Sequence, residues 1–584
     1  MSNSKLVVPE GFTLHVEGSA SVLLPERTDT FINPIQEFNR DLSVACISVW
    51  AESYNQQRRE RAERRSARRT GNSRKKRKDS NTAAQTDDKT GDPQEPADED
   101  TVMDKGDSPM HAHVAEDLIV GHADPDFCFR GAVLLEALSA TGLRSIRYAH
   151  EIPALRYIIA NDLSPAATTA MRRNVEFNGL GPQPAGVTPA ADADKEVQSH
   201  GKVRVSEADA CTLMYSHRTD NIVDCVDLDP YGTAAPFVDS AVQCINDGGL
   251  LCVTCTDMAV LATNNYPEKC FANYGGIPLR GEYCHEAALR LVLHSLSTSA
   301  ARYGRYITPL LSLSIDFYVR IFVRVQTGQR QVKNVFSKTA MYYICTGCQA
   351  WFEEPLGRVL EKVDEASGNI NPVYRTHPGP SFKGGHCPYC ESNTHATALQ
   401  IAGPMWRGPL HDTDFVDTVL AHTQEKQDNF GTAARMIGML TLARQELVNP
   451  FYITPSRVAS SFQCTSPSFD AVASALVNGG YAVSRSHAVA GSVKTDAPTS
   501  VVHDIFRAWV EKNPVKYEKV KDGSHTARLL AVEPVFKADL TINPVVKTKA
   551  SNVKIVRYQH NPTKNWGPGM RPGKKRRAES QERA

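Results

Sequence analysis

A chain of 584 residues with 41% hydrophobic residues can bury sizeable cores, and at about 150 residues per domain it has room for roughly two to four of them. No run of about 18 apolar residues is present to cross a membrane, and residues 1–30, with Glu10, Glu17, Glu26 and Asp29, match neither a secretory signal nor a mitochondrial presequence. The net charge of +1 conceals strong local segregation, and the 14 cysteines, four of them in C-x-x-C pairs, suit a reducing compartment with one metal site better than a disulfide framework.

Residues 5–30 alternate weakly and predict a short hairpin. Phe31–Ser43 is dense in polar and aromatic groups and leads into an apolar segment, Val44–Trp50. From Arg58 to Lys78 there are twelve Lys/Arg against two Glu, and 79–108 is polar and acidic, including Asp98-Glu99-Asp100. With few aromatics and high charge, 53–110 is expected to stay disordered. Its basic block reads as a nuclear import signal or a nucleic-acid tether, with a solvated linker as the alternative. Lys574-Lys575-Arg576-Arg577 forms a second basic cluster near the end.

At Gly131 the pattern becomes regular. Val133–Leu138 is a predicted strand, and Ser139–Gly142 turns into a helix reaching Glu151. Leu155–Ala160 is a strand closed by Asn161-Asp162, and Pro165 opens a helix to about Asn178. After a Gly/Pro/Ala-rich loop at 179–201 comes the strand Val203–Ser206, then Asp209-Ala210. The strand through Leu228 follows, then a helix over Pro236–Ile245, the strand Leu250–Cys255, a helix over Gly281–Arg302 and a final hairpin at 307–327. Strands alternating with helices predict an α/β fold with a mostly parallel sheet covered on both faces.

In such a sheet ligands sit beyond the carboxyl ends of the strands. Ser139–Gly142, Asp162, Asp209 and Asp229 stand at four consecutive strand ends, a pattern that suits a nucleoside-containing cofactor. Asp162 falls where an acid binds a ribose diol, and Asp209 where an adenine amine would lie. Ala140-Thr141-Gly142-Leu143-Arg144 is not the glycine-rich dinucleotide fingerprint, which favours S-adenosylmethionine. Asp229-Pro230-Tyr231-Gly232 suits chemistry on a planar amine. Its carboxylate accepts a proton or hydrogen bond from the amine, its aromatic stacks on the ring, and its proline and glycine set the turn. Alone, the same tetrad is also an Asp-Pro turn closing an ordinary strand.

Together, Phe31–Ser43, Glu136–Arg147 (EALSATGLRSIR), Asn161–Ser164, Asp227–Gly232 (DLDPYG) and Gln559–Pro568 (QHNPTKNWGP) resemble the tRNA guanine-N2 dimethyltransferases along nearly the whole chain. The resemblance implies a class I, Rossmann-like methyltransferase fold and S-adenosylmethionine-dependent methylation of the N2 amine of guanosine 26 in tRNA. It implies Arg40 and Arg144 at the cofactor, Asp162 on its ribose and Asp209-Ala210 at its adenine. Asp229 is then the catalytic carboxylate, within the Asp229-Pro230-Tyr231 turn, with Phe31 and Tyr231 flanking the base. The family often carries Phe where Tyr231 stands, a change that leaves stacking intact. Arg147, three residues from Arg144, competes with it for the pocket.

Cys345-Thr346-Gly347-Cys348 and Cys387-Pro388-Tyr389-Cys390 are two knuckles whose four thiolates suit a closed, structural tetrahedral Zn2+. The gap of 38 residues between them is long, and His377 and His386 are near enough to replace a cysteine. Leu410–Leu447 reads as helical, and Phe469–Asn478, a short strand at 481–483 and a helix at 499–511 are compatible with a winged-helix-like module. In the family this region contacts tRNA, so Arg485, His487 and Lys494 are the expected phosphate partners.

The expected organisation is 1–52 as the N-terminal part of the methyltransferase domain, 53–110 as the insertion and 111–335 as the methyltransferase core. A zinc-knuckle segment at 336–400, a tRNA-binding domain at 401–545 and a basic tail at 546–584 complete it. A monomer bound to tRNA, without membrane attachment and resident in the nucleus, is the expectation. Two alternatives share these residues: an S-adenosylmethionine-dependent amine methyltransferase for another nucleic-acid base, and a non-catalytic RNA-binding scaffold.

Overall fold

The computed structural model describes residues 7–26, 32–82 (with side chains as far as Arg64), 131–182, 194–363, 368–379, 386–391 and 399–546. Phe31, the Gln559–Pro568 motif and the 574–577 basic cluster lie outside them. The chain forms a main body, Met1–Glu52 with Ala132–Ala584, and a second unit, Ser53–Gly131.

The main body opens with an antiparallel hairpin, β1 (Phe12–Glu17) and β2 (Ala20–Pro25), followed by the long helix Glu37–Thr82. The start of this helix is buried from Phe38 to Ala51, so the apolar Val44–Trp50 segment faces a core. The second unit contains the continuation of the same helix over 53–82, where disorder was expected from composition. The physical reason is that nucleation is the costly step of helix formation and the buried start has already met it. The Gln, Arg, Glu and Ala residues that dominate 56–69 propagate readily, with Gln56 and Glu60 bonded one turn apart at 3.0 Å.

Strands β3 (Ala132–Glu136), β4 (Leu155–Asp162), β5 (Val203–Glu207), β6 (Cys225–Leu228) and β7 (Gly249–Cys255) pair in parallel. Strands β8 (Arg305–Ile315) and β9 (Tyr318–Thr327) add an antiparallel edge, giving the order β5-β4-β3-β6-β7-β9-β8. The helices Leu143–Glu151, Pro165–Phe177, Ala235–Cys244 and Cys284–Ala301 fall where the sequence periodicity puts them. Two short helices, Lys195–His200 and Ala210–Ser216, occupy stretches too short and polar to show a period. The topology reverses beside β3, so the carboxyl ends of β5, β4, β3 and β6 form one continuous rim.

Beyond the sheet, β10 (Thr339–Cys345), β11 (Trp351–Pro355) and β14 (Leu399–Trp406) form a three-stranded sheet, and β12 (Gly357–Val363) pairs with β13 (Ile370–Thr376) in a separate ribbon. The predicted 410–447 helix is two helices, Thr413–Glu425 and Ala433–Gln445. The helices Pro455–Phe462, Phe469–Asn478, Thr499–Lys512 and His525–Ala531 follow, with β15 (Val483–Ser484) paired to β16 (Lys494–Thr495). One hydrophobic core runs from Val133 through Leu289 to Ala340, Trp406 and Phe451, across the 335/336 boundary expected from sequence.

Candidate active site

Strand β6 ends at Leu228, Asp229 and a buried Pro230 follow it, and Gly232, at φ 86°, turns the chain toward the helix Ala235–Cys244. That left-handed angle favours glycine. The turn is closed by Gly232 N–H donating to Thr256 Oγ1 and Thr256 N–H to Gly232 O, both at 2.8 Å. Pinned this way, the turn presents Tyr231 100% exposed, with both ring faces free, next to an Asp229 side chain 22% exposed.

Both Asp229 oxygens are held from below. Arg144 Nη2 pairs with Oδ2, and Asn39 Nδ2, on the first turn of the long helix, reaches Oδ1 at 3.4 Å. The Arg144 guanidinium is itself buried, with Asp227 at 3.6 Å and Glu136 at 3.9 Å. Asp227 meets Arg320 at 2.8 Å and accepts from the Tyr148 hydroxyl at 2.6 Å, while Arg320 also donates to Thr254 Oγ1 (3.0 Å) and Ser43 Oγ (2.8 Å). Burial works against the charged form of Asp227, but Arg320 and Arg144 outweigh it and hold its carboxyl below the usual range. Glu136 differs: burial dominates over Arg144 and the Ser145 hydroxyl and pushes it up to about 7.

The sequence put Arg144 at the cofactor and left Arg147 as its rival. The two diverge. Arg144 faces Asp229, and Arg147 faces Asp41 (2.7 Å), Glu17 (2.9 Å) and Glu151 (2.9 Å). Arg40 is buried against Glu17 (2.6 Å) and the Asn33 carbonyl (3.3 Å). Both guanidinium groups are thus paired with a carboxylate, Arg40 with Glu17 and Arg144 with Asp229.

The other rim residues stand open. Asp162 Oδ2 accepts from Ala140 N–H and Oδ1 from Ser164 N–H, each at 2.9 Å, which leaves the carboxylate half-exposed with lone pairs to spare. Gly142, at φ 80°, packs so closely that an added Cβ would come 2.8 Å from Met171 Cγ. Asp209 is exposed and caps the helix Ala210–Ser216 through Thr212 N–H (2.8 Å) and Oγ1 (2.9 Å), bonds that hold its carboxyl below the usual range. Asn161 Nδ2 ties the β3 and β5 ends together through Ala137 O (3.1 Å) and Ala208 O (3.0 Å), and its buried Oδ1 has no hydrogen-bond partner among the described residues. Open carboxylates and an unsatisfied acceptor on one rim fit a ligand rich in hydroxyl and amine donors. Sequence reasoning missed Asn39, Asp227, Tyr148 and Arg320. Their signal was charge inside otherwise apolar strands: Glu136 and Asp227 are direct partners on β3 and β6, and Arg320 interrupts β9.

Cys345, Cys348, Cys387 and Cys390 are buried together, their Sγ atoms all within 4.8 Å of one another. Cys345 and Cys390 stand 3.5 Å apart and Cys348 and Cys387 3.6 Å, close to the edge of about 3.8 Å for a tetrahedron with Zn–S near 2.3 Å. The donors fit a structural Zn2+ with no open position. Neither histidine joins them, since His377 pairs with Glu354 at 3.3 Å and His386 is exposed.

Two of the three expected phosphate partners, His487 and Lys494, need correction. His487 and Lys494 are 1% exposed: His487 bonds Glu446 at 2.5 Å, and Lys494 bridges Glu446 (3.0 Å) and Glu286 (3.1 Å). Arg485 lies over the Phe469 ring at 4.3 Å. His411, Glu446 and His487 resemble a metal triad, yet Lys494 already neutralises the carboxylate. The amides of Ser314 (3.1 Å to His487 Nε2) and Ser312 (3.4 Å to His411 Nδ1) occupy the outer ring nitrogens. Burial disfavours charge on His411 and lowers its pKa.

The strand order, with its antiparallel edge and a rim of acids over β5-β4-β3-β6, is that of a class I, Rossmann-like methyltransferase. The solved structure of Trm1 from Pyrococcus horikoshii in complex with S-adenosyl-L-methionine shares this fold at a TM-score of 0.55 and 22% identity, over 84% of this chain and 99% of that one. A sequence model described as N2,N2-dimethylguanosine tRNA methyltransferase matches residues 11–507, and the chain belongs to that family. The tRNA (guanine(26)-N(2))-dimethyltransferase of Schizosaccharomyces pombe is 38% identical over 572 residues, 96% of this chain and 93% of its own length. That of Homo sapiens is 39% identical, covering 98% and 79%, and the Saccharomyces cerevisiae relative, 39% identical over 96% and 93%, is named mitochondrial.

Proposed function

We propose that the chain methylates the exocyclic N2 of guanosine 26 in tRNA, twice in succession, with S-adenosylmethionine as donor. The observation that carries this reading is the Asp229 carboxylate, clamped by Arg144 and Asn39 at the open rim beside a free Tyr231 ring, in a chain of this family.

S-adenosylmethionine, when bound, supplies an electrophilic sulfonium methyl. Asp162 is suited to hold its ribose and Asp209-Ala210 its adenine. Tyr231 stacks on the guanine, with Phe31 as the second wall. Asp229 accepts a hydrogen bond from N2, draws the nitrogen lone pair out of conjugation and takes up the proton it loses. Because Arg144 and Asn39 already fix this carboxylate, little reorganisation is needed during transfer. No cysteine is required as nucleophile, and burial pushes the nearby Cys255 up to about 12. Guanosine 26 must leave the tRNA stack at a cost of a few kcal/mol, which binding of tRNA by the regions beyond the sheet offsets. The basic run Arg58–Lys78 supports nuclear residence, and one chain carries every residue assigned, in keeping with a monomer.

Incubation with unmodified tRNA and labelled cofactor, followed by digestion, should yield N2-methylguanosine and then N2,N2-dimethylguanosine from position 26. Label in another base would overturn the reading. Asp229→Ala and Asp229→Asn should each lower single-turnover methylation by about 100- to 10,000-fold and leave cofactor affinity by calorimetry unchanged. Normal turnover in both variants would remove Asp229 from the mechanism.

A further inference from the structure

With His487 and Lys494 buried, the molecule needs another cationic surface for its substrate. The antiparallel register of the β12–β13 ribbon supplies one. Residues two apart on a strand share a face, so Arg358, Leu360 and Lys362 lie together with their direct partners Arg375, Val373 and Asn371. Arg358, Lys362 and Arg375 are all exposed, and Arg358 stands directly opposite Arg375. Like charges facing each other across a strand pair repel, and a carboxylate nearby would ordinarily relieve them. None does so among the described residues. Glu361 alternates to the other face, Glu353 is taken by Arg407 (3.0 Å) and Tyr342 (2.7 Å), and Glu354 by His377 (3.3 Å).

The ribbon is also firmly rooted. Leu356 N–H donates to Thr339 O at 2.9 Å and His377 N–H to Leu356 O at 3.2 Å, and Gly357 sits so tightly on the Phe336 ring that an added Cβ would come within 2.0 Å. In the chain it fills the gap between the two cysteine knuckles, so the same metal site that would close the knuckles braces both ends of the excursion. A stem held in this way, bearing three cations with no ion-pair partner among the described residues, fits a polyanionic backbone.

We infer that this face of the ribbon, Arg358, Lys362 and Arg375, docks the phosphate backbone of the tRNA. The inference rests on the tRNA reading above and adds where the RNA is gripped. At 3.3–3.4 Å per residue, Arg358 and Lys362 are about 13 Å apart along the strand, enough to engage separate phosphates.

The test is a triple variant of the full chain, Arg358→Gln, Lys362→Gln and Arg375→Gln, with Glu361→Gln on the opposite face as control. Binding of unmodified tRNA is measured across a salt series. The triple variant should bind about tenfold or more weakly near 150 mM salt, and its log–log salt slope should fall by about 2 to 3, since each lost phosphate contact removes about 0.7–0.9. KM for tRNA should rise with kcat and cofactor affinity unchanged, and the control should match the parent. Parental affinity and slope in the triple variant would overturn the inference while leaving the methylation reading intact. Failure of the parent itself to bind tRNA would instead sink that reading. Should the variant unfold, acetylation of Lys362 in the parent decides: bound tRNA should protect it, and equal labelling with and without tRNA overturns the assignment.

Discussion

Asp229 is the partly exposed end of a charged layer in which two guanidinium groups, Arg144 and Arg320, meet three carboxylates, Glu136, Asp227 and Asp229 itself. The layer orients the carboxylate without covering it. Glu136 carries the testable consequence. Its folded-state pKa of about 7 lies above the ordinary 4.5, so folded protein keeps a proton that the unfolded chain releases. Its contribution is fully present below about 4.5 and is lost as pH rises through about 7, by on the order of a few kcal/mol. Glu136→Gln should shrink the stability difference between pH 5 and pH 8 in denaturant titrations, and an undiminished difference would contradict this account. Reading the chain alone found the four strand ends because a glycine turn or an acid closes each predicted strand, Ser139–Gly142 the first and Asp162, Asp209 and Asp229 the others. It misjudged His487 and Lys494, because a charged side chain looks the same in sequence whether it meets solvent, ligand or a buried partner.

Among elements, the long helix and the cysteine cluster behave differently from what local composition suggests. The helix Glu37–Thr82 carries Asn39 and Ser43 into the buried layer at its start and a basic run at its far end. Composition predicted order for the first part only. The continuation follows from cooperativity, which no residue-by-residue reading includes. The knuckles were legible from spacing, and the fold adds that their thiols converge in a second hydrophobic core with Phe462, Val502 and Phe506. Purified protein should carry about one Zn2+ per chain by elemental analysis. Chelation or Cys348→Ser should lower the melting temperature of this core and leave cofactor affinity at the sheet rim unchanged. A metal-free chain of equal stability would rule out the structural role.

At the scale of the whole molecule, the C-terminal helices are locked to the sheet through Glu286, Arg290, Lys494, Glu446 and His487. Arg290 and Glu286 lie 2.7 Å apart, and one lysine is shared by two acids. Burial opposes the charge of Glu446, and Lys494 and His487 overcome it, holding its carboxyl well below the usual range. Removing the lysine takes away the cation that these two buried carboxylates share, leaving Glu286 with Arg290 and Glu446 with His487. Lys494→Met should therefore destabilise the protein by roughly 3–5 kcal/mol in urea titrations, with the salt slope of tRNA binding unchanged at temperatures where the variant is folded. A lowered slope with parental stability would restore Lys494 to the phosphate contacts.

Alternating apolar strands and amphipathic helices, acids closing successive strands, and paired cysteines are local patterns. The sequence therefore determined the α/β class, the acidic rim, the Asp229-Pro230-Tyr231-Gly232 turn and the four-cysteine cluster. Which charges face each other was decided only in three dimensions. The pairing of Arg144 with Asp229, the burial of His487 and Lys494 and the opposition of Arg358 to Arg375 depend on register and on segments far apart in the chain. Electrostatic partnership is set by distance and dielectric, and neither exists until the chain has folded.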